Sequence, residues 1–394
     1  MTARSGASAA ELTTCWPSPD QELLLRAAMS PPAEAGEAFA MWQRAQDIHN
    51  LDEGSRRLLP MVYRNLRRNG VLTALDMELK RAYLETSAEN QKRLVALENV
   101  LGVLHENDVP TLVLKGAALT LFHYRDRGVR PMADLDVMVP IETTERALSA
   151  LRGDGWAFHG IGRKTPVSRL LSIRHAASLQ RGDDELDLHW HALAECMAGE
   201  LDRSFWAAAI NVYMGGEQTR ILAPADQLVH SFVHGLRYNP VPPVRWITDT
   251  YAVLTSSSDD LDWTRVVRHA ERHRLVAPVA SALEYVHHLL PGHIPPHVVH
   301  ALRLLPITDR EQREFDHTTR SHRLIGAWGV EWLRYRRRAP DRGPLRRAVG
   351  FVSELRVQYE LDHLWQLPAR IGHGVVRRCA RVLRPPPRVR GDRR

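Results

Sequence analysis

The apolar period of this chain changes twice, and those two changes decide what it can fold into. Over residues 76–105 the apolar side chains Leu79, Tyr83, Leu94, Leu97, Val100, Leu101 and Leu104 suit one face of a single long helix. Asp76 can cap its start, and Asn107-Asp108 can end it. Immediately afterwards Thr111-Leu-Val-Leu114 is a short β-prone run, and Asp134-Leu-Asp-Val-Met-Val139 alternates polar and apolar until Pro140 stops it. Beyond Pro224 the helical period returns over 225–236, 244–255, 263–273 and 276–290, broken by Pro291, Pro295 and Pro296. Helices, a short strand-bearing middle and more helices define an α+β chain, and no repeat period is present.

Smaller signals fill in the rest. Helical spacing of Leu58, Leu59, Met61, Val62 and Leu66 within 21–69, with Asn69-Gly70 as a stop, gives a helical lead-in. The run at Thr111–Leu114 ends at Lys115-Gly116, so a strand feeds a helix over 117–124 through glycine. Arg127-Gly-Val-Arg-Pro131 is turn-like, a connecting helix follows over 142–151, and 175–180 can pair with 185–190 across Gly182-Asp-Asp184. The expected organisation is a helical region 1–106, an α+β core 107–223, a helical domain 224–370, and a basic, proline-rich, disordered tail 371–394.

Composition narrows the function classes. With 44% hydrophobic and 25% charged residues the chain is ordinary globular material, and no apolar run reaches the ~20 residues that span a bilayer. Met1–Leu12 lacks a basic flank followed by an apolar stretch, which sets the expectation of a cytoplasmic protein. Cys15, Cys196 and Cys379 are too dispersed for a disulfide framework or a Cys-x-x-Cys metal site. The net charge of +7 permits anionic partners without choosing one; much of the excess lies near the C-terminus, at Arg336–Arg338, Arg346, Arg347, Arg377, Arg378, Arg381 and Arg384. The stretch from Trp365 to Leu383 mixes apolar residues with arginine and could contact an anionic surface, although a solvated basic helix is the commoner outcome.

Chemistry concentrates in the middle. Residues i and i+2 of a strand face one side, so Asp134 and Asp136 point together while Leu135 and Val137 face the other way. Paired carboxylates need solvent or a cation to offset their repulsion, and hard oxygen ligands suit magnesium. An Asp-x-Asp alone is more often a solvated strand face. Upstream, however, Lys115-Gly116 opens a helix whose first N–H groups favour phosphate, and lysine is scarce here, with only Lys80, Lys92, Lys115 and Lys164 among 53 basic residues. Asp187, in the alternating Glu185-Leu-Asp-Leu-His-Trp-His191, can face the first pair from a neighbouring strand. Three carboxylates in one site could hold two divalent metals that serve an in-line transfer from a nucleoside triphosphate.

Leu114-Lys-Gly-Ala-Ala-Leu119, Arg130-Pro-Met-Ala-Asp-Leu-Asp-Val137, Leu186-Asp-Leu-His-Trp190 and Arg245-Trp-Ile-Thr-Asp249 together resemble the uncharacterised nucleotidyltransferase family of the polymerase-β-like superfold, over roughly residues 20–370. The resemblance implies a small mixed sheet carrying metal carboxylates, with helices before and after it. It implies that Asp134 and Asp136 are the metal pair, Asp187 the third carboxylate and Gly116 the phosphate-loop glycine. The wider superfamily usually has Gly-Ser or Gly-Gly there and a shorter gap to the first aspartate. Here Ala117 follows Gly116, and Asp134 comes 18 positions after it.

The expected activity is transfer of a nucleoside monophosphate, with Mg²⁺ or Mn²⁺, from a triphosphate such as ATP to a hydroxyl or phosphate. The acceptor could be a protein, peptide, metabolite or RNA. Arg127 and Arg130 could contact the triphosphate, and His189, on the strand face of Asp187, could ligate metal, position an acceptor or act as a base. His230 and His234 have metal-ligand spacing but lack the glutamate of His-Glu-x-x-His, and Asp249 could pair with an arginine or cap the site. Two rival readings are a non-catalytic module that keeps the nucleotide pocket and engages a partner, and an RNA-modifying enzyme recognisable by salt-dependent RNA binding.

Overall fold

The computed structural model describes residues 15–159, 165–239, 241, 244–258, 261–319, 324–339, 343–359, 361 and 363–366. The expectations placed on the first twelve residues, on Cys379 and on the tail 371–394 lie outside the described residues, as does most of the basic stretch after Trp365. The chain divides into two compact units, one of residues 1–160 and 174–321, the other of 161–173 and 322–394.

The larger unit opens with four helices, α1 (Pro19–Met29), α2 (Pro32–Ala45), α3 (Glu53–Arg56) and α4 (Leu59–Arg68). Ser18 starts α1 with a capping box: its hydroxyl accepts from Gln21 N while the Gln21 side chain accepts from Ser18 N. The long helix α5 (Asp76–Glu106) follows, capped by Leu75 without a side-chain hydrogen bond. Asp76 is therefore not the cap; it sits one position inside, where its carboxylate favours the helix dipole instead.

Seven strands form one mixed sheet: β1 (Leu112–Val113), β2 (Leu135–Met138), β3 (Ala157–Phe158), β4 (Ala176–Arg181), β5 (Asp184–His189), β6 (Ile210–Met214) and β7 (Glu217–Ile221), in the order β3-β4-β5-β2-β1-β7-β6. β2 lies parallel to β5 and antiparallel to β1, so it occupies the sheet's middle, and all four of its residues are buried. The strand begins at Leu135, leaving Asp134 just before it. The β6–β7 hairpin and β3 extend the sheet beyond the strands read from the sequence. Its turn glycine, Gly215, has φ +62°, the left-handed conformation a tight hairpin requires.

Between the strands run α6 (Lys115–Ala118), α7 (Thr144–Gly153), α8 (Val167–Ile173, in the smaller unit) and α9 (Glu200–Ala208). The helix expected to start at Ala117 starts at Lys115, and its continuation, Leu119–Tyr124, winds as a π-helical turn ending at the left-handed Arg125. The helical region is α10 (Pro224–Gly235), α11 (Arg245–Ser256), α12 (Trp263–Arg272), α13 (Val276–Leu289), α14 (Pro296–Leu304) and α15 (Asp309–Thr319). A Cβ on Gly235 would stand 2.3 Å from Trp246 Cβ, so glycine is what lets α10 and α11 approach. One apolar core runs from α1, α2 and α4 through β1 to α10–α13, with Trp42, Phe39 and Phe232 fully enclosed. Each such large side chain contributes about 1.5–3 kcal/mol on burial.

In the smaller unit α16 (Leu324–Arg338) and α17 (Pro344–Gln358) meet through Trp332 and Phe351, edge to face at 5.0 Å. Arg338 joins the pieces, donating to Ile173 O and pairing with Glu354. No helix among the described residues is long and apolar enough to cross a membrane.

Candidate active site

The parallel pairing of β2 with β5 puts Asp136 in register with Asp187 and Met138 with His189. Adjacent strands lie about 4.8 Å apart. Asp136, Asp187 and His189 accordingly each present a ligand atom within 4.8 Å of the others. Asp136 is buried, and one oxygen, Oδ1, takes two contacts: Lys115 Nζ at 2.5 Å and His189 Nε2 at 3.0 Å. Burial opposes ionisation of this carboxyl, but Lys115 and His189 outweigh it and hold Asp136 below the usual carboxylate range. Asp187 is fixed from β4 by the Ser178 hydroxyl, which donates to Oδ1 at 2.6 Å.

Asp134 does not share a ligand set with this group, but it is close enough to feel it. The Asp136 carboxylate, and then burial, raise the Asp134 pKa. All three aspartates line one cleft of about 360 Å³, together with Lys115, Arg130, His230 and Arg245. The two aspartates on strands follow from the period-2 pattern. What local sequence does not show is that β5 aligns Asp187 with Asp136 rather than with Asp134.

The loop between the π-helical turn and β2 is held by Asn90, a fully buried residue of α5. Its Nδ2 donates to Arg127 O at 2.7 Å and Arg130 O at 2.8 Å, and its Oδ1 accepts from Met132 N at 3.1 Å. A mid-helix asparagine reads as a solvated polar residue, so this anchor was not singled out from the sequence. Arg130 then turns inward to form a fork with Asp249 of α11, Nε to Oδ1 at 2.7 Å and Nη2 to Oδ2 at 3.0 Å. The Tyr124 hydroxyl donates to the same Oδ1 at 2.9 Å. Burial works against the Arg130 charge, but Asp249 more than compensates and raises its pKa. Both side chains border the cleft while paired with each other. Exposed Arg127 donates to Gln91 and does not line the cleft.

Arg245, at the start of α11, donates to Pro131 O. Burial and the neighbouring Arg130 cation lower its pKa to about 10. Gly116 is buried beside the cleft rather than lining it. A Cβ there would stand 3.1 Å from Met132 Cγ and Sδ and 3.3 Å from Arg130 Nη1, so the glycine lets α6 lie against the Arg130 loop. That packing differs from the open phosphate cradle expected of it.

From the opposite wall, α10 presents His230, buried, with neither ring nitrogen hydrogen-bonded. Its ring lies parallel to that of His234, with centroids 5.8 Å apart. Burial, then the Lys115 charge, push the His230 pKa down to about 3, so this imidazole is neutral near pH 7. Among the described residues, Asp136, Asp187 and His189 are the group that could hold a metal.

A cleft floored by aligned strand carboxylates, with basic residues and helices around it, is the kind of site that nucleotidyltransferases use. The model of the family described as uncharacterised nucleotidyltransferase matches residues 54–291, well over half of the chain. The chain belongs to that family, within the polymerase-β-like superfold. No curated protein matches it. Among solved structures it is similar to the solution structure of the antibiotic-resistance factor ANT(2'')-Ia, at 18% identity over 50% of this chain and 98% of that one, TM-score 0.33. The crystal structure of ANT(2'')-Ia with adenylyl-2''-tobramycin is similar at 16% identity over 49% and 98%, TM-score 0.32. An antigenic nucleotidyltransferase-like protein from Paracoccidioides brasiliensis gives 15% identity over 52% and 92%, TM-score 0.27. Scores this low carry no argument about the reaction.

Proposed function

We propose that this chain is a nucleotidyltransferase that uses Mg²⁺ or Mn²⁺ to move a nucleoside monophosphate, AMP in the first instance, from a triphosphate to a hydroxyl or phosphate of an acceptor. The observation that carries this reading is the in-register pair Asp136 and Asp187 in the cleft, with buried His189 beside Asp136. The donor set fits a divalent ion: two carboxylates supply hard oxygens, and the buried His189 fixes the Asp136 oxygen. Bound between these residues, the ion would activate the acceptor oxygen and support the triphosphate and departing pyrophosphate.

The chain's own groups supply the rest. Asp134, which also lines the cleft, adds a third carboxylate near the pair. Lys115 and Arg245 offer positive charge to the phosphates. Arg130 supports the cleft wall through its fork with Asp249 and lines the cleft from there.

Thermal shift with ATP, GTP, CTP and UTP, with and without Mg²⁺, tests the pocket, because a ligand that binds only the folded state raises its stability. Stabilisation by one triphosphate that needs metal and vanishes in Asp136→Asn is the expected result; no stabilisation by any triphosphate would remove the donor from the proposal. A second reading, nucleotide binding without transfer, draws support from Gly116, which is packed under Met132 and Arg130 instead of opening toward the cleft. Pyrophosphate release with any member of a protein, metabolite and RNA acceptor panel would eliminate that second reading.

A further inference from the structure

Lys115 is placed in a way that a simple phosphate-binding lysine does not need. Its ammonium lies 2.5 Å from Asp136 Oδ1, the same oxygen that His189 contacts, and Asp136 belongs to the cluster suited to a metal. The lysine side chain is 14% exposed at the cleft, whereas Asp136 is 2% exposed beneath it. The backbone of Lys115 has φ +45°, a left-handed conformation that a residue with a Cβ keeps only where its surroundings impose it. This conformation ends β1 and starts α6, and from there the side chain reaches Asp136.

A dication on Asp136 and Asp187 would share the Asp136 carboxylate with this ammonium, and two positive centres on one carboxylate repel each other strongly at a buried site. Metal entry therefore favours departure of the lysine head from Asp136. Its flexible four-carbon stem lets the charge move while the backbone stays in place. The other cations lining the cleft have partners of their own: Arg130 is forked to Asp249, Arg245 donates to Pro131 O, and Arg57 donates to Glu53. The anion that arrives with the metal is the triphosphate.

We propose that Lys115 is an exchangeable counter-cation that makes metal binding depend on nucleotide: it neutralises Asp136 in the metal-free cleft and moves to a phosphate of the nucleotide when the metal occupies the carboxylates. The proposal rests on reading the cleft as a metal and nucleoside triphosphate site. It gives the lysine a specificity role, since the cleft then selects the metal–nucleotide complex over the free ion. No bond is made or broken in the exchange; one ion pair replaces another.

Mn²⁺ binding to the full chain, followed by electron paramagnetic resonance with and without α,β-methylene ATP, tests it without needing an acceptor. Wild type binds Mn²⁺ weakly alone and about tenfold or more tighter with the analogue. Lys115→Met binds Mn²⁺ alone about tenfold tighter than wild type and gains little from the analogue. Lys115→Arg, which keeps a cation at the position, still binds Mn²⁺ weakly in the absence of the analogue, and adding Asp136→Asn to Lys115→Met removes the tight binding. If Lys115→Met binds the ion as weakly as wild type and the analogue tightens both equally, the exchange is overturned while the metal-nucleotide reading stands. If no variant binds Mn²⁺ with or without any triphosphate analogue, both are overturned.

Discussion

Two buried carboxylates border the same cleft, and they are satisfied in opposite ways. Asp249, on the helical side, receives a two-pronged guanidinium from Arg130 and a hydroxyl from Tyr124. Asp136, on the sheet side, receives one ammonium and one imidazole, both at a single oxygen. The first arrangement uses a rigid, planar partner whose geometry matches the carboxylate, and exchanging it would leave a buried charge alone. The second uses a point charge on a flexible stem, which can be exchanged at little geometric cost. On the proposal made above, charge pairing near this cleft is of two kinds: a fixed pair that shapes it, and a replaceable pair at the carboxylate offered to a ligand ion.

The comparison is broken most directly by Asp136→Asn. Pyrophosphate release is expected to fall by about 1000-fold or more, with circular dichroism and melting temperature near wild type. Undiminished turnover would show that the replaceable pair is not part of the chemistry. Asp249→Ala acts on the other pair and leaves Arg130 buried and unpaired, so urea unfolding should report a loss of about 3–5 kcal/mol. A loss below about 1 kcal/mol would instead put Arg130–Asp249 among ion pairs of surface strength.

Gly235→Ala tests the seat of α11, which carries Asp249. The added methyl meets Trp246 Cβ, which cannot swing aside, and a stability loss of about 1–3 kcal/mol is expected. His230 gives a pH-dependent test of the facing wall. Its folded-state pKa, near 3, lies below the unfolded value near 6.5, so the unfolded chain binds the proton first as pH falls. The stability from this group is complete above pH about 6.5 and declines below it, by about 1.4 kcal/mol per pH unit until the folded pKa is reached. His230→Leu should flatten that part of the profile; an unchanged slope would mean that other groups produce it. Arg127→Ala should change stability by no more than about 0.5 kcal/mol and leave the triphosphate-induced thermal shift intact, because this exposed arginine lies outside the cleft.

The sequence carried much of this arrangement, for specific physical reasons. Asp136, Asp187 and His189 alternate with buried Val137, Leu186 and Leu188, and a period of two states which residues share a strand face. The long α5 and helices α10–α13 were legible from their apolar spacing. The β6–β7 hairpin also has a readable signal, since Gly215-Gly216 separates two β-prone runs. Other features have no local signature. Nothing around Asn90 says that its amide organises a loop about 40 positions later, and nothing in Val167–Ile173 ties that helix to a unit whose other residues begin at 322. Partner choice was the hardest to read: Lys115 and Arg130 both looked like phosphate ligands, and only the tertiary structure shows that one faces Asp136 and the other is held by Asp249.

The Arg130–Asp249 fork also bears on how molecules get in and out. It bridges the loop leading into β2 and helix α11, which lie on either side of the cleft. Swinging these walls apart would expose an unpaired guanidinium and carboxylate, so a wide breathing motion is disfavoured. The expectation is a cleft that opens little, with selection among ligands falling to its dimensions and to small side-chain movements at its floor. For such a slot, association should follow a single kinetic phase whose rate grows linearly with ligand concentration, without the plateau that a slow closing step would impose.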